Sequence, residues 1–153
     1  MIDGIGKDAE IVTNDKGGKQ SKAIGAFYLV DPIFLYGFFE KYYYFANPII
    51  KYMVGEIDKD TMTFEIVNKE AEALVKIAKT LEEGVAKYPM NNWRLIPEED
   101  HLNHALIHLY ALEQGDTQDD HLGHFLTRIM MAYATKKSFK ATNYTEYVRD
   151  ETD

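Results

Sequence analysis

All five histidines of this chain lie within one stretch, and four of them form two copies of the pattern His-Leu-x-His. Histidine titrates closest to neutral pH among the side chains, and its neutral ring also binds first-row transition metals. Spacings of three or four positions place side chains on one face of a helix. Each pair continues at this spacing to one further polar residue. The two stripes consist of His101, His104 and His108, and of His121, His124 and Arg128.

The two histidine stripes are predicted to face a common crevice. At about 100° per residue, each stripe lies on the shoulder of the apolar stripe of its own helix. A short connection makes consecutive helices pack antiparallel, so the two shoulders meet. The crevice then admits three interpretations: a divalent-metal site, a site that binds phosphate or transfers protons, or half-buried histidines with structural hydrogen bonds. The connection adds three carboxylates, Asp116, Asp119 and Asp120.

A second group of candidate residues surrounds the only tryptophan of the chain. An exposed tryptophan beside an arginine suits stacking on a nucleobase and pairing with a phosphate. The alternative is a tryptophan that packs its loop onto the core. The candidate nucleotide contacts in this part of the chain are Lys87, Asn92, Trp93 and Arg94.

Two weaker signals lie elsewhere. The segment Lys-Gly-Gly-Lys-Gln could form an anion-binding nest from its backbone N–H groups, with Lys19 and Gln20 as contacts. A solvated loop is the alternative. On the helix before the tryptophan, Glu82 lies on the shoulder of the apolar stripe and could supply a carboxylate, whereas Glu83 is expected to point into solvent.

The composition excludes several classes of site and partner. The chain has 153 residues and no cysteine, so disulfides, thiolate metal sites and cysteine nucleophiles are excluded. A net charge of -8 argues against a nucleic acid polymer as partner, because binding one requires the neutralisation of many phosphates. No apolar run is long enough to cross a bilayer and no signal peptide is recognisable, so we expect a cytoplasmic protein with no membrane partner.

The apolar pattern predicts an all-α fold, a helical bundle of about four to five helices. Residues 26–136 are expected to form this bundle. A polar loop rich in glycine and lysine is expected over 1–25, and a polar tail over 137–153. The two histidine helices occupy 98–135, and Gly115 is expected to end the first of them.

The middle of the chain is dense in aromatic residues. The pattern predicts a helix from Ile33 to Ala46, broken near Asn47-Pro48 and buried in the core or against another subunit. Two β-like runs around a polar turn predict one small hairpin near 50–66. Residues 34–64 also support a further interpretation, a structural or interaction module.

In their order, these motifs resemble the phage-encoded dATP/dGTP diphosphohydrolase N-terminal-domain family. That family is similar to the all-α, MazG-like nucleoside triphosphate pyrophosphohydrolases. The resemblance covers residues 13–32 and 74–134. The segments that carry it are Asn14–Ser21, Asp31-Pro32, Glu83–Tyr88, Asn92–Arg94 and the run from His-Leu-Asn-His through Gly115-Asp116 to Asp120–His124.

The resemblance implies an oligomeric α-helical enzyme that cleaves a deoxynucleoside triphosphate, a purine one, to the monophosphate and pyrophosphate. It also implies a divalent metal, Mg²⁺ or Mn²⁺ or another first-row ion, which polarises the phosphates and activates water. The implied metal ligands are His104, His121, His124 and Asp120, with His104 added from spacing. The catalytic residues are His108, Asp120 and Arg128. The nucleotide contacts are Lys19, Gln20, Lys87, Asn92, Trp93 and Arg94, with Trp93 stacked on the base.

The metal ligands distinguish this chain from the wider superfamily. MazG-like enzymes hold magnesium with Glu-x-x-Glu and Glu-x-x-Asp pairs, and here two histidine pairs stand in their place. Magnesium prefers oxygen ligands, whereas imidazole suits manganese, iron, nickel or zinc. Either the metal differs, or the histidines bind phosphate, or catalysis is lost. The last case gives the alternative function, a non-catalytic protein that sequesters a nucleotide or a nucleotide-derived defence signal.

Overall fold

The structure, a computed structural model, describes residues 2–6 and 9–141, and of residues 136–141 it describes the backbone alone. The predicted all-α fold with one small hairpin is confirmed, and the described part of the chain contains more helices than expected. The strands are β1 (Ile11–Thr13) and β2 (Lys19–Ser21), paired antiparallel. The helices are α1 (Pro32–Phe38), α2 (Tyr43–Met53), α3 (Lys59–Val67), α4 (Ala73–Gly84), α5 (Glu98–Glu113) and α6 (His121–Ala141), with short 3-10 turns at Phe27–Leu29 and Asn92–Leu95.

Helices α5 and α6 form the centre of the fold. His108 contacts His121 near the connection and His101 contacts Arg128 further along, so the two helices run antiparallel. Helices α3 and α4 pack on α6, and α2 packs on α3 and α5. The shared core excludes water from large apolar side chains, which is the main force that holds the bundle together. Its fully buried members include Phe45, Ile49, Leu106, Leu109, Phe125, Leu126 and Ile129.

The hairpin predicted near 50–66 is wrong in position, because that segment is helical. Asp58 is the N-cap residue of α3. Its side chain accepts a hydrogen bond from the backbone N–H of Thr61 in the first turn of that helix. Met62 and Ile66 then lie one turn apart and are both fully buried. The hairpin is instead β1–β2, inside the segment predicted as a loop. Gly17 allows its turn, since it adopts a left-handed φ of 87°.

The aromatic segment also folds differently from the prediction. The expected helix from Ile33 to Ala46 is two helices, and the break lies before Tyr43 instead of at Asn47-Pro48. Pro48 lies inside α2, where its missing N–H leaves the carbonyl of Tyr44 without its helical donor. The Nζ of Lys69 donates to that carbonyl at 2.9 Å instead. This donor replaces the hydrogen bond that the proline removes.

The real break is stabilised by Glu113 at the end of α5. Its carboxylate accepts three hydrogen bonds of 2.8–3.0 Å from the backbone N–H groups of Glu40, Lys41 and Tyr42, ahead of α2. Partial burial acts to raise the pKa of this carboxyl, but the three donors outweigh it and hold the pKa below its ordinary value. The ionised side chain therefore links the backbone that precedes α2 to the C-terminal end of α5.

We expect Glu113→Gln to lower the free energy of unfolding by about 2 kcal/mol at neutral pH, because charge-assisted hydrogen bonds are lost. A group with a lowered folded pKa stabilises above its unfolded pKa, and this contribution is lost as the pH falls through the folded pKa. The difference between wild type and variant should therefore shrink in acid. Urea unfolding at neutral and acidic pH measures this difference. Glu82→Gln is the control, because Glu82 lies on the exposed face of α4. An equal difference at both pH values would contradict this role.

Three further features of the described residues concern the predicted tail, the membrane and the aromatic segment. Helix α6 continues to Ala141, into the segment predicted as a tail, and residues 142–153 lie outside the described part. Within the described residues, no helix combines the length and apolar character needed to cross a membrane.

On α1, Ile33 and Phe34 are exposed by 83% and 65%, so this part of the aromatic segment is not buried in the core of the chain.

Candidate functional site

A cavity of about 430 Å³ opens between α4, α5, α6, the 3-10 turn at Asn92–Leu95 and the N-terminal segment. Its wall is mixed in character. The apolar lining residues include Ile5, Ile24, Leu81, Val85, Met90 and Ile107, and the polar ones include Glu83, Lys87, His104, His108, Asp119, His124, Thr127 and Arg128.

Arg128 is fixed from behind by two neutral acceptors. One of its terminal nitrogens donates to Oε1 of Gln20 at 3.2 Å and to Nδ1 of His101 at 2.9 Å. Gln20 in turn donates to the carboxylate of Asp100 at 3.0 Å. Burial lowers the pKa of Arg128 to about 10, so it keeps its charge at neutral pH. No carboxylate of the described residues forms an ion pair with this guanidinium.

His101 lies behind the cavity wall, where its neutral ring bridges the carbonyl of Trp93 and the guanidinium of Arg128. Its Nε2 lies 3.0 Å from the carbonyl oxygen of Trp93, so Nε2 carries the hydrogen, and Nδ1 is left as the acceptor for Arg128. Burial, followed by the charge of Arg128, lowers the pKa of His101 to about 3. Burial and the same charge lower the pKa of His104, which lines the cavity, to about 2. Both rings are therefore neutral near pH 7.

Deeper in the crevice, Asp116, His121 and His108 form a hydrogen-bonded chain. The carboxylate of Asp116 lies 2.6 Å from Nε2 of His121, and both side chains are almost fully buried. The Nδ1 atoms of His121 and His108 lie 3.0 Å apart. The hydrogen bond from His121 lowers the pKa of Asp116. Burial, and after it the neighbouring His124, hold the pKa of His108 well below its ordinary value.

A second aspartate pairs with the remaining histidine. Nε2 of His124 lies 3.5 Å from a carboxylate oxygen of Asp119, and its ring stacks on that of His108 with centroids 5.1 Å apart. The hydrogen bond with His124 holds the pKa of Asp119 below its ordinary range. His108, His121 and His124 thus form one connected group with Asp116 and Asp119, while His101 contacts Arg128.

The structure brings Asp116 and Asp119 to the histidines but not Asp120, which carried the catalytic and metal predictions. Asp120 is exposed and caps α6 by accepting from the N–H of Gly123 at 3.1 Å. A sequence signal for the other two was present. Asp116 precedes His121, and Asp119 precedes His124, by the same five positions. The left-handed φ of 76° at Gly115 turns the chain so that both carboxylates come back to the helix.

Two predicted nucleotide contacts form hydrogen bonds that hold the hairpin in place, and one of them, Asn92, also lines the cavity. The side-chain amide of Asn92 accepts from the N–H of Lys19 at 2.9 Å and donates to its carbonyl at 2.6 Å. Gln20 is buried and bridges Asp100 to Arg128. The Lys19 side chain is exposed and does not line the cavity. Strand β2 therefore closes one end of the site through these contacts.

The aromatic candidate lies at the cavity wall, and its stacking on a base stays a prediction. Trp93 contributes to the wall, and the guanidinium of Arg94 lies 4.3 Å from the centre of its ring. Arg94 itself is not a wall residue. Lys87 lines the cavity and lies over the ring of Tyr88. The two glutamates of α4 are reversed relative to expectation, since Glu83 lines the cavity and Glu82 does not.

The implied divalent metal does not fit the side chains as they are arranged. His121 uses both ring nitrogens in hydrogen bonds, and the carboxylates of Asp116 and Asp119 are each engaged by an imidazole. Within the described part of the chain, no three histidine, aspartate or glutamate side chains are grouped so that they could hold a metal ion. The paired acidic ligands that suit magnesium are replaced here by imidazole rings.

Comparison with known proteins gives one family. The family model described as "dATP/dGTP diphosphohydrolase, N-terminal" matches residues 53–144, which is more than half of the chain. The matched region contains α4, α5 and the histidines of α6, so it includes most of the cavity wall. No curated protein and no solved structure matches the chain.

Proposed function

We propose that this chain, which belongs to the dATP/dGTP diphosphohydrolase N-terminal family, hydrolyses a purine deoxynucleoside triphosphate to the monophosphate and pyrophosphate. The reaction takes place in the cavity between α4, α5 and α6. The observation that carries the proposal is the state of Arg128. It is a charged side chain at a cavity wall, held by neutral acceptors and without an ion-pair partner in the described residues.

A cation in this environment favours an anionic ligand. Taking a charge out of water is costly unless the charge is paired, and Arg128 has only uncharged direct partners. A phosphate oxygen would supply the missing negative charge and accept the remaining guanidinium donors. The neutral histidines beside it add hydrogen bonds without adding the repulsion that a row of carboxylates would cause. Lys87 supports a second contact further along the triphosphate.

The volume and mixed lining of the cavity suit the rest of the nucleotide. Ligand sites are mostly apolar pockets of 300–1,000 Å³ with a few directed polar groups, and a volume of about 430 Å³ falls in that range. The ring of Trp93 offers a stacking surface for a base, and Arg94 already lies against one face of it. The free part of this ring therefore supports base stacking from the cavity side.

The proposed chemistry is attack of a water oxygen on the α-phosphorus. The new phosphorus–oxygen bond forms as the bond from the α-phosphorus to the bridging oxygen breaks, and pyrophosphate leaves with that electron pair. The proton of the water passes to a neutral imidazole in the cavity wall. Arg128 stabilises the charge that spreads over the phosphate oxygens. A divalent metal, Mg²⁺ or Mn²⁺, stays a prediction for this reaction, and no step above depends on it.

The test is a panel of deoxynucleoside triphosphates incubated with the full chain in EDTA and in Mg²⁺, Mn²⁺ or Co²⁺. We expect purine substrates to release pyrophosphate and the matching monophosphate in equal amounts, and the panel shows which metal, if any, is needed. Absence of pyrophosphate under every condition would contradict the proposed activity.

The same panel separates the alternative function. A protein that sequesters nucleotides would bind one tightly and return it intact, and the missing Glu-x-x-Glu pair is the feature that favours this alternative. Tight binding measured by calorimetry, followed by recovery of unchanged triphosphate, would identify it. A homo-oligomer also stays a prediction, supported by exposed Ile33 and Phe34 on α1 and measured by light scattering.

A further inference from the structure

We propose that Tyr88 binds the phosphate chain of the ligand, and that it does so in two ways. Its hydroxyl donates a hydrogen bond to a phosphate oxygen, and its ring holds the ammonium group of Lys87 at the same wall. This inference rests on the proposed function only in placing a phosphate chain in the cavity, beside Arg128. It assigns to that chain a third contact, which is uncharged.

The chain after α4 places Tyr88 at the cavity wall. The carbonyl of Gly84, the last residue of this helix, accepts from the backbone N–H groups of both Lys87, at 3.0 Å, and Tyr88, at 2.8 Å. These bonds continue the winding of the chain for one further turn. Pro89 follows, and it disfavours a helical conformation at Tyr88. Lys87 and Tyr88 are thereby held at the end of this turn, and both line the cavity.

The ring of Tyr88 holds a cation. Nζ of Lys87 lies 5.4 Å from the ring centre, within the range in which an aromatic face attracts an ammonium group. In the part of the chain that the structure describes, Lys87 forms no ion pair with a carboxylate. The ring therefore keeps this ammonium group near the wall while its hydrogens stay available to an anion.

The hydroxyl of Tyr88 is available to a ligand and lies near the second cation. The side chain is partly exposed, and no described residue forms a hydrogen bond with its hydroxyl. Burial lowers the pKa of Arg128, and Tyr88, followed by Asp100, opposes this shift. Asp100 is not a wall residue and reaches Arg128 through Gln20. Tyr88 is thus the group that approaches the arginine from the cavity.

A tyrosine hydroxyl suits this place beside two cations. A phosphate chain presents several oxygens in a row, and each of them accepts hydrogen bonds. The hydroxyl can donate to one of these oxygens without adding a third positive charge, which would repel Lys87 and Arg128. The ring supplies apolar surface to the wall, and the polar tip remains for the ligand. The three side chains together therefore match a linear polyphosphate.

Calorimetric titration of the full chain with inorganic tripolyphosphate, with and without Mg²⁺, tests the inference. We expect Tyr88→Phe to raise Kd by about tenfold, the contribution of one hydrogen bond. Its melting temperature should stay near wild type, because the ring is retained. Tyr110→Phe is the matched control, since it removes the hydroxyl of a half-buried tyrosine of α5 outside the cavity wall. It should leave Kd unchanged.

An unchanged Kd in Tyr88→Phe would overturn the inference, and so would a wild-type chain that binds no tripolyphosphate under either condition. An equal rise of Kd in Tyr88→Phe and Tyr110→Phe would do the same. The titration does not depend on hydrolysis of a nucleotide. The expected loss of affinity, together with no pyrophosphate release in the nucleotide panel, would therefore contradict the proposed activity alone.

A double-mutant cycle with Lys87→Met separates the role of the ring. Tyr88→Phe retains the ring, so Lys87→Met should raise Kd as much in that background as in the wild type. Tyr88→Leu removes the ring, so the same substitution should have a smaller effect there. Equal effects of Lys87→Met in all three backgrounds would overturn the role of the ring. If Tyr88→Leu does not fold, a smaller effect of Lys87→Met in Tyr88→Phe than in wild type still contradicts it.

Discussion

Replacing Arg128 by methionine should lower kcat/KM for the hydrolysed triphosphate by about 100-fold, because a hydrogen bond to a charged group contributes about 1.5–3 kcal/mol. Methionine keeps much of the apolar volume and removes only the guanidinium. Since the arginine has neutral direct partners, the fold loses no ion pair in the described residues. The variant should therefore stay folded, at the cost of unpaired acceptors on Gln20 and His101.

Steady-state kinetics and thermal unfolding of the same preparation measure the two effects. Lys79→Met serves as the control, because Lys79 is an exposed cation of α4 outside the cavity wall. It should leave both activity and melting temperature near wild type. If Arg128→Met hydrolyses the triphosphate at the wild-type rate, Arg128 does not bind phosphate and the proposed site is wrong.

The second large effect is expected at His108. His108→Asn places an amide group near the position of Nδ1, where it can still form a hydrogen bond with His121, but it has nothing at the position of Nε2. We expect kcat to fall by about 100- to 1,000-fold, the usual contribution of a general base. Nucleotide affinity should change little, because Arg128 and Trp93 are left in place. Single-turnover kinetics with a binding isotherm separates these quantities.

His108→Gln is the matched comparison. Its amide lies near the position of Nε2 but cannot take a proton, so kcat should fall as far as in His108→Asn, while the bond to His121 is lost. The glutamine variant should accordingly be the less stable of the two. Retention of wild-type kcat by either variant would exclude His108 as the proton acceptor.

Much of the arrangement follows from local sequence. The apolar and histidine stripes of α5 and α6 follow from helical spacing, and a short connection forces an antiparallel pair, so the histidines meet as anticipated. The family is confirmed by the match over residues 53–144. These features depend on residues within one or two helical turns of each other, and sequence patterns report such neighbours well.

The features that were missed depend on contacts between distant segments. The hydrogen bonds of Asn92 with Lys19, more than seventy positions away, were not foreseen. The same holds for the hydrogen bonds of Gln20 with Asp100 and Arg128. The break in the aromatic segment is made by Glu113, also about seventy positions away. Periodicity within a segment carries no information about such partners.

Asp120 shows a further limit of motif reading. It lies directly beside His121 in the motif, yet a residue at the start of a helix is used as a cap, and its carboxylate turns to the backbone. The carboxylates that contact histidines lie five positions before them. Here the geometry of the connection, set by Gly115, decides which acid reaches the site, and adjacency in the motif does not.

One isotope measurement tests the central claim, that this cavity hydrolyses a nucleoside triphosphate at its α-phosphorus. The full chain is incubated with dGTP or dATP in water enriched in the heavy isotope of oxygen. The products are then separated, and the mass of each is measured by mass spectrometry. Attack at the α-phosphorus predicts one heavy oxygen in the nucleoside monophosphate and none in pyrophosphate. Label in pyrophosphate or inorganic phosphate, or recovery of only unlabelled triphosphate, would contradict the account.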